Sequence, residues 1–548
     1  MRLFQWQRDG TRSEEIEAES GLRGKKHSGS RRAFFKWGVA SAFTLGLMSR
    51  LRGAGAGSKA EGAINALPGR GSAVANGAAR ARITATNGRL GFAEVFEEIK
   101  QSATKEEMFS FLYDLPKGGD LHHHHGGATL NGDWFRVATT RDLNGDQRYF
   151  TRYRIENCPG DDSIAWWKSG SEHLMYWITI SERTWSNLPA CDKSEFKALD
   201  ELTEEERERW KSSVVLDEPE EGRHEFFEYH WSRLNELFDN PYVMSELLIE
   251  NMKLFGAEGL CYMEPQVNAR GFVDRDGRKL TGDEVYRIFK DRVTRPDALA
   301  TGVSVRFGMT VLRFRDDAPE QVARVFDFIY RHRDLWCGIN LAGREDNEKG
   351  HPRRFTKTFD EALRRYPGVG ISIHAGEENE PSKHVFETLR LGATRIGHGV
   401  NLIDDAETMQ LMRCGKFLLE INLISNHLLG YVDDLEMHPF PIYMRQGIPC
   451  CLNTDDRGMW DSNMTDEYFV AVTNFNLSWD EIVQLGRNSI AFSFADPHMK
   501  KNLMDGYEKR IKAFEDKYGA GNWRAPLNTV SPVTYGYGKN TLKLSIGA

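Results

Sequence analysis

"VSVRFGMTVLRFRDDAPEQVARVFDFIYRHRDLWCGINLAG", residues 303–343, is the stretch whose reading decides the fold. It opens on an apolar run, Val303 to Leu312, and closes on another, Leu335 to Gly343. Between them, from Glu320 to His332, apolar residues fall at helical spacing. Short runs rich in β-branched and aromatic residues read as buried strands, and the spacing between them reads as a helix with one apolar face. The unit is strand, helix, strand.

The same unit recurs outward in both directions. "GLCYMEP" (259–265) precedes it, and "VGISIHAGE" (369–377), "TRIGHGVN" (394–401), "KFLLEINLIS" (416–425) and "IPCCLNTDD" (448–456) follow, with helical spacing again at Ala406 to Cys414. A run ending in His122 makes eight strands. Eight strands alternating with helices predict an α/β chain folded as a (β/α)8 TIM-type barrel, whose functional residues gather at the C-terminal strand ends. A doubly wound open sheet is the alternative, and no G-x-G-x-x-G follows a first strand to support it. The gap between the first and second strands is far longer than the others. Residues 129–230, with Trp134, Trp166, Trp167, Trp177 and Trp185, therefore read as an insertion over the barrel mouth. The predicted organisation is a signal segment over 1–56, a flexible linker over 57–91, the barrel over 92–515 and a C-terminal tail over 516–548.

Composition narrows the function. Of 72 Lys+Arg and 80 Asp+Glu, residues 1–56 hold 11 and 5, which leaves 61 and 75, a net −14, for the rest. That balance disfavours a nucleic-acid partner. No apolar run reaches the length needed to span a bilayer, so a soluble mature chain without a stable membrane anchor is expected. "SRRAFFK" (30–36), the modest apolar stretch 37–48 and the small-residue run Ala54-Gly55-Ala56 have the layout of a twin-arginine export signal cleaved after Ala56. The expected partner is the twin-arginine export machinery, and the destination is periplasmic or secreted. Among seven cysteines there is no C-x-x-C. Cys158 and Cys191, both in a polar Trp-rich segment, form a candidate disulfide in an oxidising compartment, and the other five read as buried thiols.

Polar residues stand where the strands end: His122 to His125 at the first, His374 and Glu377 at the fifth, His398 at the sixth, and Asp455-Asp456 at the eighth. A lone histidine at a strand end is commonly a hydrogen-bonded structural group, "NTDD" alone could cap a helix, and "HHHH" alone could be a solvated loop. Four such features at four converging ends form instead a nitrogen and oxygen site for one divalent metal, most simply Zn2+. In H-x-H, alternate side chains share a strand face, so His122 and His124 can chelate together. A metal there would lower the pKa of water and generate a hydroxide nucleophile. A shielded Glu377 could serve as proton donor, and His398 could orient or deprotonate the water. The chemistry expected is hydrolysis.

At these residues the chain resembles the adenosine deaminase family of metal-dependent amidohydrolases. The matching stretches are "PKGGDLHHH", "NLAG", "HAGE" (374–377), "RIGHG" (395–399) and "LNTDD" (452–456) followed by "DEY", in family order across residues 90–510. The long insertion with its two cysteines resembles the secreted growth-factor-related branch. The resemblance implies one zinc held by His122, His124, His374 and Asp455. It implies that Glu377 protonates purine N1, that His398 holds the attacking hydroxide, that Asp456 meets N7 and the nucleophile, and that the Gly343 backbone meets N3. The implied reaction is conversion of adenosine, and of 2'-deoxyadenosine, to inosine and ammonia, with a purine nucleoside as the small-molecule partner and a homo-oligomer compatible.

The chain departs from the family pattern in places. Asp120-Leu121 favours the 122/124 pair, with His123/His125 as the alternative register. His125 and Gly126 stand where an Asp helps bind the ribose, Asn340 replaces the Asp of D-L-A-G, and Gln266 stands where an Arg often follows the second strand. These departures are expected to affect the sugar end of the substrate and to leave the metal untouched, so another nucleoside or a free purine base stays in view. Two further readings compete. Another barrel amidohydrolase would usually show a bridging lysine, which "GINLAGRE" lacks, and a secreted nucleoside-binding protein without catalysis would be expected to lose Glu377 or His398. A cytidine-type deaminase is excluded, because H-x-E with P-C-x-x-C is missing.

Overall fold

The computed structural model describes residues 91–156, 158, 175–218, 220–345, 348–378 and 383–546. The export signal and all but the last residue of the predicted linker lie outside them. Eight parallel strands are laid side by side in chain order: β1 (Gly118–His124), β2 (Leu260–Gln266), β3 (Phe307–Leu312), β4 (Trp336–Ala342), β5 (Gly370–Ala375), β6 (Arg395–His398), β7 (Leu418–Ile421) and β8 (Cys450–Leu452). A two-residue strand, Ser304–Val305, pairs with β2 just ahead of β3. The barrel closes just past β8, where a parallel bridge joins His123 to Asp455. There the His124 N–H donates to Asp455 O and the Asp455 N–H to His122 O. The fold is the expected (β/α)8 barrel.

The opening stretch folds as predicted. The helix Ala318–Arg331 lies between β3 and β4 and buries Val322, Val325, Phe326 and Ile329. Burial of such side chains stabilises each helix on the barrel by roughly 1.5–3 kcal/mol per residue. The barrel interior also holds charge. Arg395 on β6 sits between Glu264 on β2, at 2.7 Å, and Glu420 on β7, at 2.6 Å. Three charges survive in the interior because each faces an opposite one. Lys117 before β1 is structural too. Its ammonium donates to Leu112 O, Leu115 O and Glu258 O, closing the end of the helix Lys105–Asp114. Burial pulls it down to about 7.

The insertion builds its own small sheet. Tyr149–Arg152 is the central strand, antiparallel to Thr179–Ser181 on one side and Phe196–Ala198 on the other. Phe150, Ile178, Ile180, Leu188, Phe196 and Ala198 form its core, and Trp185 stacks on Phe150 with ring centroids 4.3 Å apart. Cys158 and Cys191 are joined as a disulfide with Cα atoms 5.7 Å apart. Trp166 and Trp167 lie outside the described residues. The expectation of five buried thiols is corrected: Cys337, Cys450 and Cys451 are buried, Cys261 is half-buried, and Cys414, the last residue of the helix Ala406–Cys414, faces solvent. The helix Pro497–Tyr518 crosses the boundary at 515, and beyond it Tyr537 and Leu544 pack into the main core. Among the described residues no helix is long and apolar enough to cross a membrane.

Candidate active site

His122 and His124 leave β1 on the same face, and both rings meet His374 at the end of β5. The His122 Nε2 and His374 Nε2 atoms are 3.1 Å apart, and His374 Nε2 and His124 Nε2 are 3.3 Å apart. Asp455 Oδ1 lies 3.6 Å from His122 Nε2 and 3.4 Å from His124 Nε2. The Nδ1 of His122 faces Glu420 Oε2 at 2.7 Å, and that of His374 faces Asn340 Oδ1 at 2.8 Å. Both oxygens accept, so both Nδ1 atoms carry a ring proton, and in the neutral rings both Nε2 atoms carry lone pairs. Two lone pairs face each other at 3.1 Å, with a carboxylate oxygen that has no hydrogen-bond donor beside them. A divalent cation at that point would satisfy both nitrogens and the carboxylate oxygen at once. Four ligands held tetrahedrally about 2.0–2.1 Å from zinc are roughly 3.3–3.4 Å apart, so the donor set fits a single divalent ion. Burial holds the His124 imidazole down at about 3, in its neutral form.

The other pair of histidines turns away. His123 Nδ1 lies 3.2 Å from Asp120 Oδ1, and its ring packs 5.3 Å from that of Phe255. His125 Nε2 donates to Met244 O at 2.7 Å. Local backbone geometry makes the centre possible. His398 and Asp455 both adopt positive φ, 65° and 49°, a strained conformation for non-glycine residues that tends to occur at functional sites. A Cβ on Gly397 would lie 2.5 Å from the His122 ring, so that glycine gives the ring its space.

His398 crowds the same centre. Its ring is 5.0 Å from that of His122 and 5.1 Å from that of His374, and its Nε2 lies 3.5 Å from Glu377 Oε1. Burial, then the charges of Asp455, Glu345 and Glu378, hold the Glu377 carboxyl well above its usual range, with Arg313 working against them. Glu345 pins the turn that carries Glu377, accepting from Gly376 N–H at 2.9 Å and from Glu377 N–H at 3.4 Å. Asp456 is buried with one carboxylate oxygen unpartnered, and burial, then Asp455 and Glu377, push its carboxyl up. A Cβ on Gly127 would lie 1.7 Å from that oxygen, so the loop after β1 approaches Asp456 as bare backbone. Gly343, at φ 89°, follows β4 on the same rim. Trp231, just past the insertion, stands edge-on to His124 with ring centroids 6.2 Å apart and stacks on Phe238.

Sequence reading missed the residues behind these: Glu420, Arg395, Glu345, Arg313, Asn422, Asn426 and His438. The available signal was a charge inside an apolar run, as in "FLLEI" and "TRIG", since a buried charge implies a partner. Of the departures, Asn340 comes nearest the centre: its carbonyl accepts from His374 Nδ1, behind the nitrogen that faces the other donors. Gln266 and His125 lie outside the donor set.

A profile of the family described as adenosine deaminase matches residues 197–510, more than half of the chain. The chain belongs to the adenosine deaminase family. The adenosine deaminase of Enterococcus faecalis is 35% identical over 192 residues, 34% of this chain and 55% of that protein. The adenine deaminase of a Chelativorans species is 33% identical over 205 residues, 37% of this chain and 61% of that protein. The chain thus spans about half the length of the relatives it matches. Among solved structures, an adenine deaminase from Arthrobacter aurescens aligns with a TM-score of 0.51 at 20% identity, covering 72% of this chain and 99% of its own. An amidohydrolase from Burkholderia ambifaria with bound zinc aligns at 0.53 and 18%, covering 75% and 94%. These two establish the shared barrel fold. The family profile begins after β1, so His374, Glu377, His398, Asp455 and Asp456 fall inside the match, whereas His122 and His124 join them through the fold.

Proposed function

We propose that the protein is a zinc-dependent purine deaminase that converts adenosine, and 2'-deoxyadenosine, to inosine and ammonia. The observation that carries this reading is the juxtaposition of four converging donors, His122, His124, His374 and Asp455, with the Glu377 carboxyl, which burial pushes well above its usual range. A divalent ion bound by those four residues supplies Lewis-acid chemistry and lowers the pKa of water beside it. The chain does the rest. Glu377 donates a proton to purine N1, which makes C6 electrophilic. His398 orients the oxygen that adds to C6, Asp456 meets N7 and that oxygen, and the Gly343 backbone faces N3. Addition of water to C6 and loss of ammonia complete the exchange. The buried walls exclude bulk water, which strengthens each of these interactions.

The test is ultraviolet absorbance during incubation with adenosine, 2'-deoxyadenosine and adenine, with and without a chelator. Chelator-sensitive conversion to the hypoxanthine chromophore is expected, and no change with any of the three, in metal-loaded protein, refutes the reading. Glu377→Gln is expected to keep its metal and lose about 10²–10⁴ in turnover, the usual contribution of such a group. A second reading, a free base or another purine nucleoside as substrate, is favoured by His125, which turns to Met244 O where the family places a ribose-binding Asp. Adenine as the best of the three substrates would select it. Export through the twin-arginine route to the periplasm or beyond is also proposed, supported by the disulfide, since such bonds persist in oxidising compartments. Fractionation of cells expressing the full chain tests it, and retention in the cytoplasm overturns it.

A further inference from the structure

We propose that His438 and Asn426 act as positioning residues that fix the tautomer of His398, so that His398 presents an N–H, and not a lone pair, to the reacting centre. The inference rests on the purine deaminase reading for its catalytic meaning, while its structural core stands on hydrogen-bond polarity alone.

One group beside His438 has a polarity that is beyond choice. The backbone N–H of Phe440 donates to His438 Nδ1 at 3.1 Å. An amide N–H can only donate, so Nδ1 holds the lone pair and the ring proton sits on Nε2. That Nε2 faces Asn426 Oδ1 at 3.1 Å. The interaction orients the Asn426 amide, leaving its NH2 to point at His398 Nδ1 across 2.9 Å. An NH2 can only donate as well, so His398 Nδ1 accepts. The proton of the His398 ring is therefore on Nε2, the nitrogen 3.5 Å from Glu377. The Asn422 amide nitrogen lies against the ring between its two nitrogens, 3.2 Å from Nδ1 and 3.5 Å from Nε2, and does not choose between them. All of these groups are buried: Asn422 and Asn426 are fully enclosed and His438 is 2% exposed. No bulk water can exchange the donors and acceptors, so one polarity runs from the Phe440 backbone to His398.

Two consequences follow. His398 lies with His122, His374 and Asp455 in a group whose donor atoms are within 4.8 Å of one another, so geometry alone would admit it as a ligand. A nitrogen that carries its proton cannot ligate, and the third imidazole of the donor set is that of His124. His398 also acts in the reaction as a hydrogen-bond donor that orients the oxygen adding to C6, and the proton that oxygen sheds passes through the unpartnered carboxylate oxygen of Asp456 to the leaving amine, which departs as ammonia. Of the two roles read from the sequence, orientation is kept and deprotonation is not.

The experiment uses the metal-loaded full chain labelled with 15N at histidine, with the His398 resonances assigned by their loss in His398→Asn. A protonated-type Nε2 and an unprotonated-type Nδ1 are expected. Asn426→Asp replaces the donor by an isosteric acceptor and should reverse the two signals, lowering kcat by about 10–100-fold with KM and metal content unchanged, the usual range for groups that orient a site residue. His438→Glu should do the same by turning Asn426 over. His438→Gln, whose NH2 reaches the same oxygen, should recover most of what His438→Leu loses. A protonated-type Nδ1 in the unsubstituted protein overturns the proposal, whatever the variants do. So does a folded, metal-loaded Asn426→Asp with undiminished kcat. If no purine is turned over, the proposed function fails, and the resonances still decide the tautomer.

Discussion

His122 and His374 aim the same nitrogen at the same point from opposite sides of the barrel, yet the two sides hold their histidine differently. Behind His122 stands a ladder of charge: Glu420 accepts from the ring, Arg395 pairs with Glu420, and Glu264 pairs with Arg395 while also accepting from Tyr262 Oη and from the Phe494 N–H. Behind His374 stands a neutral amide, Asn340. The nearby Arg313 donates to Leu341 O and His374 O and keeps its Nε and Nη1 without partners. The first side is locked, since removing any one charge strands the next. The second carries no charge on the orienting group and holds cationic donors in reserve. A carboxylate behind a ligating imidazole raises its basicity more than an amide does, so in the proposed metal centre His122 would be the stronger ligand and His374 the weaker.

Glu420→Gln attacks the locked side and should have the largest effect. The substitution leaves Arg395 short of a counter-charge in a fully buried site and leaves His122 with a weaker acceptor. Unfolding should become easier by about 3–5 kcal/mol, and metal affinity measured by chelator competition should fall by up to about 100-fold. Unchanged stability and affinity would show that the ladder does not hold His122 in place.

The two sides also differ in how far they could be read in advance. Eight apolar runs announced the barrel because strands buried on both faces leave a strong local signal, and "HAGE", "GHG" and "NTDD" marked the strand ends at which reactive groups cluster. Glu420 and Arg395 went unassigned although each interrupts an apolar run, because the identity of a partner across a barrel is a tertiary fact: Glu264 lies 131 residues from Arg395. Asn426 and His438 left less trace, since polar residues in the short helix and loop after a strand look solvated until the fold buries them. The insertion was legible as a length anomaly and a cysteine pair. Its three-stranded sheet was not, because strands of three or four residues are too short for a period to show.

Ser425→Ala probes the carboxylate ligand between the two sides. The Ser425 hydroxyl donates to Asp455 Oδ2 at 2.7 Å and so turns Oδ1 toward the histidines. A hydrogen bond to a charged acceptor contributes about 1.5 kcal/mol, and its loss should weaken metal binding by roughly tenfold while leaving the fold intact, since no charge is stranded. A loss as large as that of Glu420→Gln would erase the distinction between locked and unlocked supports.

Asn340→Asp should have the smallest effect and the opposite sign. The new carboxylate would accept from His374 Nδ1 as the amide does now, raise the basicity of Nε2, and so tighten metal binding. Against that gain stands the cost of placing a charge where Asn340 is 3% exposed. Arg313, with two unpartnered donor nitrogens behind His374, is placed to offset part of the cost. The balance should be a gain of several-fold in affinity by chelator competition, the lower end of what an orienting group contributes, with thermal stability nearly unchanged. A fall in affinity would mean that Arg313 cannot reach the new charge and that the neutral side of the centre is neutral of necessity. The double variant Asn340→Asp with Arg313→Met separates these outcomes, because a gain that depends on Arg313 must vanish when the guanidinium is removed.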